Sequence, residues 1–152
     1  MADPAAMDAA LAALLLGDPD LAAMCPGGVH YGVAPQDVDE RLVIFLLESH
    51  RATPMFGGNA FEDFFYAIQA VAPGTNGDPV AEANARIAWL LDPAQIFTLL
   101  KPVGYAITHV QQQYDHPTPE LDAGNLDARW QVYGGHYQIQ AQPIATFGFK
   151  GV

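Results

Sequence analysis

The chain has 152 residues, 51% of them apolar and only 15% charged, and its 17 acidic and six basic residues give a net charge of −11. One domain, spanning 1–152, is the default at this length, and a chain this long buries a core without disulfides or metals; the single cysteine, Cys25, excludes an internal disulfide framework. The acid surplus argues against free DNA or RNA and against anionic membranes as partners, and no apolar run approaches the roughly 20 residues of a membrane span.

No basic start precedes an apolar core at the N-terminus, so no signal peptide is expected. A cytoplasmic origin fits. Low charge with many Gln, Asn, Gly and Ala leaves surface that could pack against other subunits. An acidic soluble monomer accounts for the composition equally well.

Asp3-Pro4 is a cap-and-proline start. Met7, Ala10, Leu11, Leu14 and Leu15 then form an apolar stripe at helical spacing, which Gly17 ends. The stripe reads as core packing. Asp18-Pro19 starts a short second helix that Cys25-Pro26-Gly27-Gly28 stops. Val29 to Val33 is a short strand, and Asp37 to Glu40 is an exposed acidic turn. Leu42 to Leu47 is a bounded apolar run, predicted to be a central strand buried on both faces. Thr53 to Asn59 reads as a loop. Its Met55-Phe56 pair either tucks into the chain's own core, the ordinary reading, or forms an exposed tip that contacts a partner.

Phe61 to Val71 is crowded with aromatic and apolar residues and is predicted to be a strand. Pro73 to Gly77 is a turn, and Asp78-Pro79 opens a helix whose Val80, Ala83, Ile87, Leu90 and Leu91 share one face. Asp92-Pro93 repeats the signal for a short helix ending before Pro102. Tyr105 to Tyr114 reads as a strand, and the proline- and acid-rich Asp115 to Gly124 as a long surface loop. Leu126 to Gln142 is the last regular piece. Tyr137, Ile139 and Ala141 alternate there with polar residues, as in a strand buried on one face. Gly134-Gly135 is either a two-residue hairpin turn or a bulge in one bent strand, the bend being preferred. Residues 143–152 form a tail whose Phe147 and Phe149 need burial, against a neighbouring subunit or the chain's own sheet. The element order argues for an α+β fold: a mostly antiparallel sheet with helices packed on one face.

Chemistry-bearing patterns are sparse. Glycine-rich phosphate loops are missing, and His30, His50, His109, His116 and His136 match no metal-ligand spacing. Cys25 reads as a small buried hydrophobe. Glu48, Ser49 and His50 have the residue types of a triad, but neighbours on a strand point to opposite faces. Catalytic residues, cofactor and metal are all expected to be absent. Arg41 and Arg129 flank strands, as solvated surface residues in the ordinary reading or as ion-pair donors to a neighbouring subunit's acids.

Four features together resemble the tail-terminator, or tail-completion, proteins of long-tailed bacteriophages. They are the Ala- and Leu-rich helix Met7 to Leu16 with its second Asp-Pro start; the phrase Gly28 to Gln36 followed by the apolar strand Leu42 to Leu46; the strand, turn and Ala-rich helix of Phe61 to Leu91; and the final alternating strand with Trp130 upstream and Gln142-Pro143 at its end. The likeness covers about residues 5 to 143. Arg41 departs from it, standing where the family often has proline, as do the longer Asp115 to Gly124 insert and the longer tail.

The resemblance implies a structural protein, not an enzyme. It implies a hexameric ring at the head-proximal end of a virion tail, made in the host cytoplasm. Such a ring ends tube polymerisation and joins the tail tube protein to the head–tail connector protein, with no membrane partner. An acidic surface would suit a lumen that DNA passes without sticking. Arg41, Met55, Phe56, Arg129, Phe147 and Phe149 are the candidate subunit-interface residues. The competing expectation is a small-ligand-binding or enzymatic α+β domain.

Overall fold

The computed structural model describes residues 3–32, 40–56, 58–73, 78–121 and 129–144. Side chains are described for these apart from 58–59, 73, 78–79, 114–121 and 129–133. The elements run α1 (Ala5–Leu16), α2 (Pro19–Met24), β1 (Val29–Tyr31), β2 (Leu42–Met55), β3 (Gly58–Pro73), α3 (Asp78–Leu90), α4 (Pro93–Leu99), β4 (Tyr105–Leu121) and β5 (Arg129–Pro143). The five strands form one sheet in the order β1-β2-β3-β5-β4. Only the β1–β2 pair is parallel. This is the expected α+β class.

Helix starts follow the acid-proline signals. Asp18 accepts the Leu21 N–H at 2.9 Å and Asp92 accepts the Ala94 N–H at 2.9 Å. Asp3 accepts the Ala5 N–H at 3.0 Å. Each carboxylate satisfies an amide that a helix's first turn leaves without an intrahelical partner.

Alternate residues of β2, β3, β5 and β4 face the helices. Val43, Phe45, Phe64, Tyr66, Ile68, Tyr137, Ile139 and Val110 pack there with Met7, Leu11 and Leu15 of α1, Leu21 of α2, Val80, Ala83 and Ile87 of α3 and Ile96 of α4. Cys25 joins this core, and burial pushes its thiol up to about 11, an effect the Arg41 charge partly opposes. The Tyr66 hydroxyl crosses the layers to donate to Asp8 of α1.

Three expectations need correction. β2 is buried on its helix-facing side at Val43 and Phe45, but on the opposite face only its start is: Leu42 is fully buried there against its partner Val71, whereas Leu46 is exposed. The loop expected over Thr53 to Asn59 is instead the tight end of a β2–β3 hairpin, paired as far as Met55↔Gly58. Pro54 is tolerated because β1 pairs only with residues 43–45, leaving β2 an edge strand at that point. Nor is Asp115 to Gly124 a loop throughout, since β4 continues to Leu121 and pairs there with β5. Pro117 and Pro119 fit because β4 is an edge strand and residues two apart present the same side of it.

The last strand is described from Arg129, the expected start at Leu126 lying outside the described residues. It runs unbroken through Gly134 and Gly135, which pair with Gln69 and Ile68, so there is no hairpin turn. The irregularities fall on its partner β4, between Ile107 and His109 and between Gln112 and Tyr114. Glycine at these positions serves close approach. A Cβ on Gly134 would lie 2.5 Å from Gln69 Cγ, and one on Gly135 2.8 Å from Tyr137 Cε2.

Candidate assembly surfaces

The sheet projects a hairpin arm. β5 pairs with β3 only as far as Glu62↔Ala141, whereas the β2–β3 ladder continues to Met55↔Gly58. The arm therefore extends beyond the sheet by about four residues, or roughly 13 Å at strand rise. At its tip Met55 is exposed and Phe56 is 105% exposed. The ordinary expectation, two apolar side chains tucked into the core, is wrong for this pair. A tight turn at the end of a projecting ladder leaves them no core to reach.

At the arm's root lies a buried polar cluster. Glu62 is 4% exposed and accepts hydrogen bonds from His50 Nε2 at 2.6 Å and from the Tyr105 hydroxyl at 3.1 Å. Phe64 packs against both donors' rings, at 4.6 Å from His50 and 5.5 Å from Tyr105. Burial, and then the bond to Glu62, raise the Tyr105 phenol above its ordinary range.

Arg41 and Arg129 sit at the other end of the sheet. Arg41 precedes Leu42, which pairs with Val71, and Arg129 precedes Trp130, which pairs with Pro73. Both strands flank β3, so the two arginines share an end. The 14-residue β2 separates Arg41 from the Met55–Phe56 tip, about 46 Å at strand rise. Arg41 is half-buried, and its carbonyl accepts the Gly27 N–H at 2.8 Å. The structure thus gathers the candidate interface residues into two opposite ends, not one patch. Phe147 and Phe149 lie outside the described residues.

The sheet face away from the helices is polar along β5. His136, Gln138 and Gln140 stand opposite Ala67, Phe65 and Asp63. Asp63 accepts from the amides of Gln138 at 3.1 Å and Gln140 at 3.3 Å. Arg51 lies over the Phe65 ring at 5.7 Å. Of the triad types, Glu48 goes to His136 on this face and His50 to Glu62 on the other.

Among the described residues, the helical side carries at least two grooves. One, of about 370 Å³, is lined by Ala10, Ala13, Leu14, Gly17, Leu99 and Lys101. The other, of about 120 Å³, lies between α1, α2 and β1 and includes Leu16, Leu21 and Cys25. Neither is lined by a carboxylate or an imidazole. Among the described residues, no three His, Cys, Asp or Glu side chains gather as a metal site, and no helix is long and apolar enough to cross a membrane.

Sequence reasoning missed the α1/α4 groove, because both helices read as ordinary core-packing pieces. The signal was there: α1 carries one charge, Asp8, in 12 residues. It also missed Arg86, which binds Asp18 through two nitrogens at 2.9 and 2.8 Å and stacks over the exposed Trp89 at 4.2 Å.

No protein-family model matches the chain, and no curated protein matches it. Its fold is that of a solved chain described as "Virion of native gene transfer agent (GTA) particle", at a TM-score of 0.71 over 91% of this chain and 96% of that one, with 15% sequence identity.

Proposed function

We propose that the chain is a structural virion protein of the tail-terminator kind. It forms a ring, expected to be hexameric, that caps the tail tube and joins it to the head-side connector. The observation that carries this reading is the near end-to-end sharing of fold with a chain of a virion particle. The Phe56 tip and the two-ended spread of interface candidates agree with it, since a head-to-tail ring needs two different contact surfaces on each copy.

No bond is made or broken in this role; the work is shape and charge complementarity. An enzymatic or ligand-binding reading asks for reacting groups gathered around an open cavity; of the two grooves described, one includes Lys101 and the other the buried Cys25, each without a carboxylate or imidazole beside it. The acidic balance suits a lumen that DNA crosses without adhering. A lumen lined with lysine and arginine would count against that part.

Cryo-electron microscopy of the particle that carries this chain tests the proposal. A ring of it at the head-proximal end of the tail tube is expected. Particles made without the chain should have tubes of unregulated length. A position elsewhere in the particle, or normal tubes in its absence, overturns the reading.

A further inference from the structure

From the hairpin tip and the α1/α4 groove together, we infer that Phe56 of one copy docks into the α1/α4 groove of the next. The inference rests on the ring reading and names the contact that would close the ring. A helix apolar around its circumference is ordinarily covered on all sides. α1 is such a helix, yet on its groove side Ala13 and the following Gly17 are exposed and Ala10 and Leu14 are only half-buried. Across the groove, Leu99 is also exposed. Small residues floor it, so a bulky side chain can reach the backbone. Phe56, fully exposed, is not seated in its own chain's groove.

Charge selects the occupant. Copies carrying −11 each repel unless they meet through acid-free surface. Residues 52–61 of the arm carry no charge. Residues 9–17 and 93–104, which supply the groove, carry one, Lys101. These are acid-free stretches in a chain with 17 acids, and one presents a knob where the other presents a socket. Knob and socket differ, so the contact is heterologous and propagates from copy to copy.

Cysteine crosslinking of the full chain, in a Cys25→Ala background, tests this. Oxidising a mixture of Met55→Cys and Ala13→Cys chains should give the mixed dimer. The doubly substituted chain should give a ladder above dimer. Phe56→Asp, at a fully exposed position that leaves the fold intact, should weaken self-association in sedimentation about thirtyfold, the size of an interface hot spot. Like-with-like dimers alone, no crosslink at millimolar chain, or unchanged association of Phe56→Asp overturns the contact. A ring seen in the particle without the 55–13 crosslink sinks this contact and leaves the virion reading standing. A ladder formed by a chain that has no place in a particle does the reverse.

Discussion

Glu48 of β2 bonds His136 of β5 at 2.6 Å, spanning the whole width of β3 between them. His136 sits directly opposite Ala67, and the register shift between Leu47 and Ser49 sets Glu48 between the levels of Tyr66 and Phe65, one to two residues along from Ala67. Flanking strands lie about 9.5 Å apart across a third, so the bond needs a short side chain in the middle. Ala67 supplies it. Ala67→Leu should separate the pair. Glu48 is partly exposed, so Glu48→Gln should cost only about 0.5 kcal/mol in the native background. It should cost nothing beside Ala67→Leu. A double-mutant cycle by urea unfolding reads the difference.

Asp18 ties three segments together. It caps α2 at Leu21 and binds Arg86 of α3 through both oxygens. Those Arg86 bonds hold its carboxyl below the ordinary carboxylate range, with the Leu21 N–H helping and burial opposing. A depressed carboxyl contributes stability that is complete above its unfolded pKa, near pH 4, and is lost as pH falls through its lower folded value. Asp18→Asn keeps a capping oxygen but not the charge. Acid titration of the unfolding midpoint should therefore be flatter for Asp18→Asn below about pH 4, with near-native α2 helicity.

The helices were readable because each start is a local event: Asp18 and Asp92 need only the next turn's amides. The β3 and α3 pieces were readable for a similar reason, since their periodic apolar residues meet one core. What lay beyond local reading was pairing. Nothing around Pro117 announces that β4 is an edge strand, and only an edge tolerates it. Leu46 looks as buried as Phe45 and Leu42 in the sequence, and its exposure shows only once its place on the face away from the helices is known. Phe56 looked like a core residue because the arm's overhang depends on where β5 stops. Of the candidate site, the residue types at the tip were legible, but the groove was not, since it is a relation between α1 and α4.

The Gly134–Gln69 pair sets how closely β3 and β5 pack. Alanine ordinarily strengthens a strand over glycine. Here the added methyl would meet Gln69 Cγ at 2.5 Å and the Ile68 carbonyl at 3.2 Å. Gly134→Ala should therefore destabilise by about 1–3 kcal/mol, as overpacking does. Adding Gln69→Ala removes the nearer clash and should recover part of the loss. Chemical denaturation of the single and double variants checks the sign. A Gly134→Ala chain as stable as the native one would contradict the packing described.

Glu62 anchors the arm to the body. Its carboxylate joins His50 of β2 to Tyr105 of β4 from a buried position on β3. The cluster lies where β5's pairing with β3 ends and the hairpin continues alone. Beyond it the arm has ladder hydrogen bonds but no core, so its orientation depends on this root. Glu62→Leu removes the acceptor and leaves a buried phenol without its partner, which should cost about 2–3 kcal/mol. Glu62→Gln keeps one carbonyl acceptor and should cost less. Amide hydrogen exchange separates a local from a global effect. Protection of residues 50–55 should fall in Glu62→Leu well before that of 64–71. Uniform loss along β2 and β3 would mean that the cluster supports the whole sheet instead of orienting the arm.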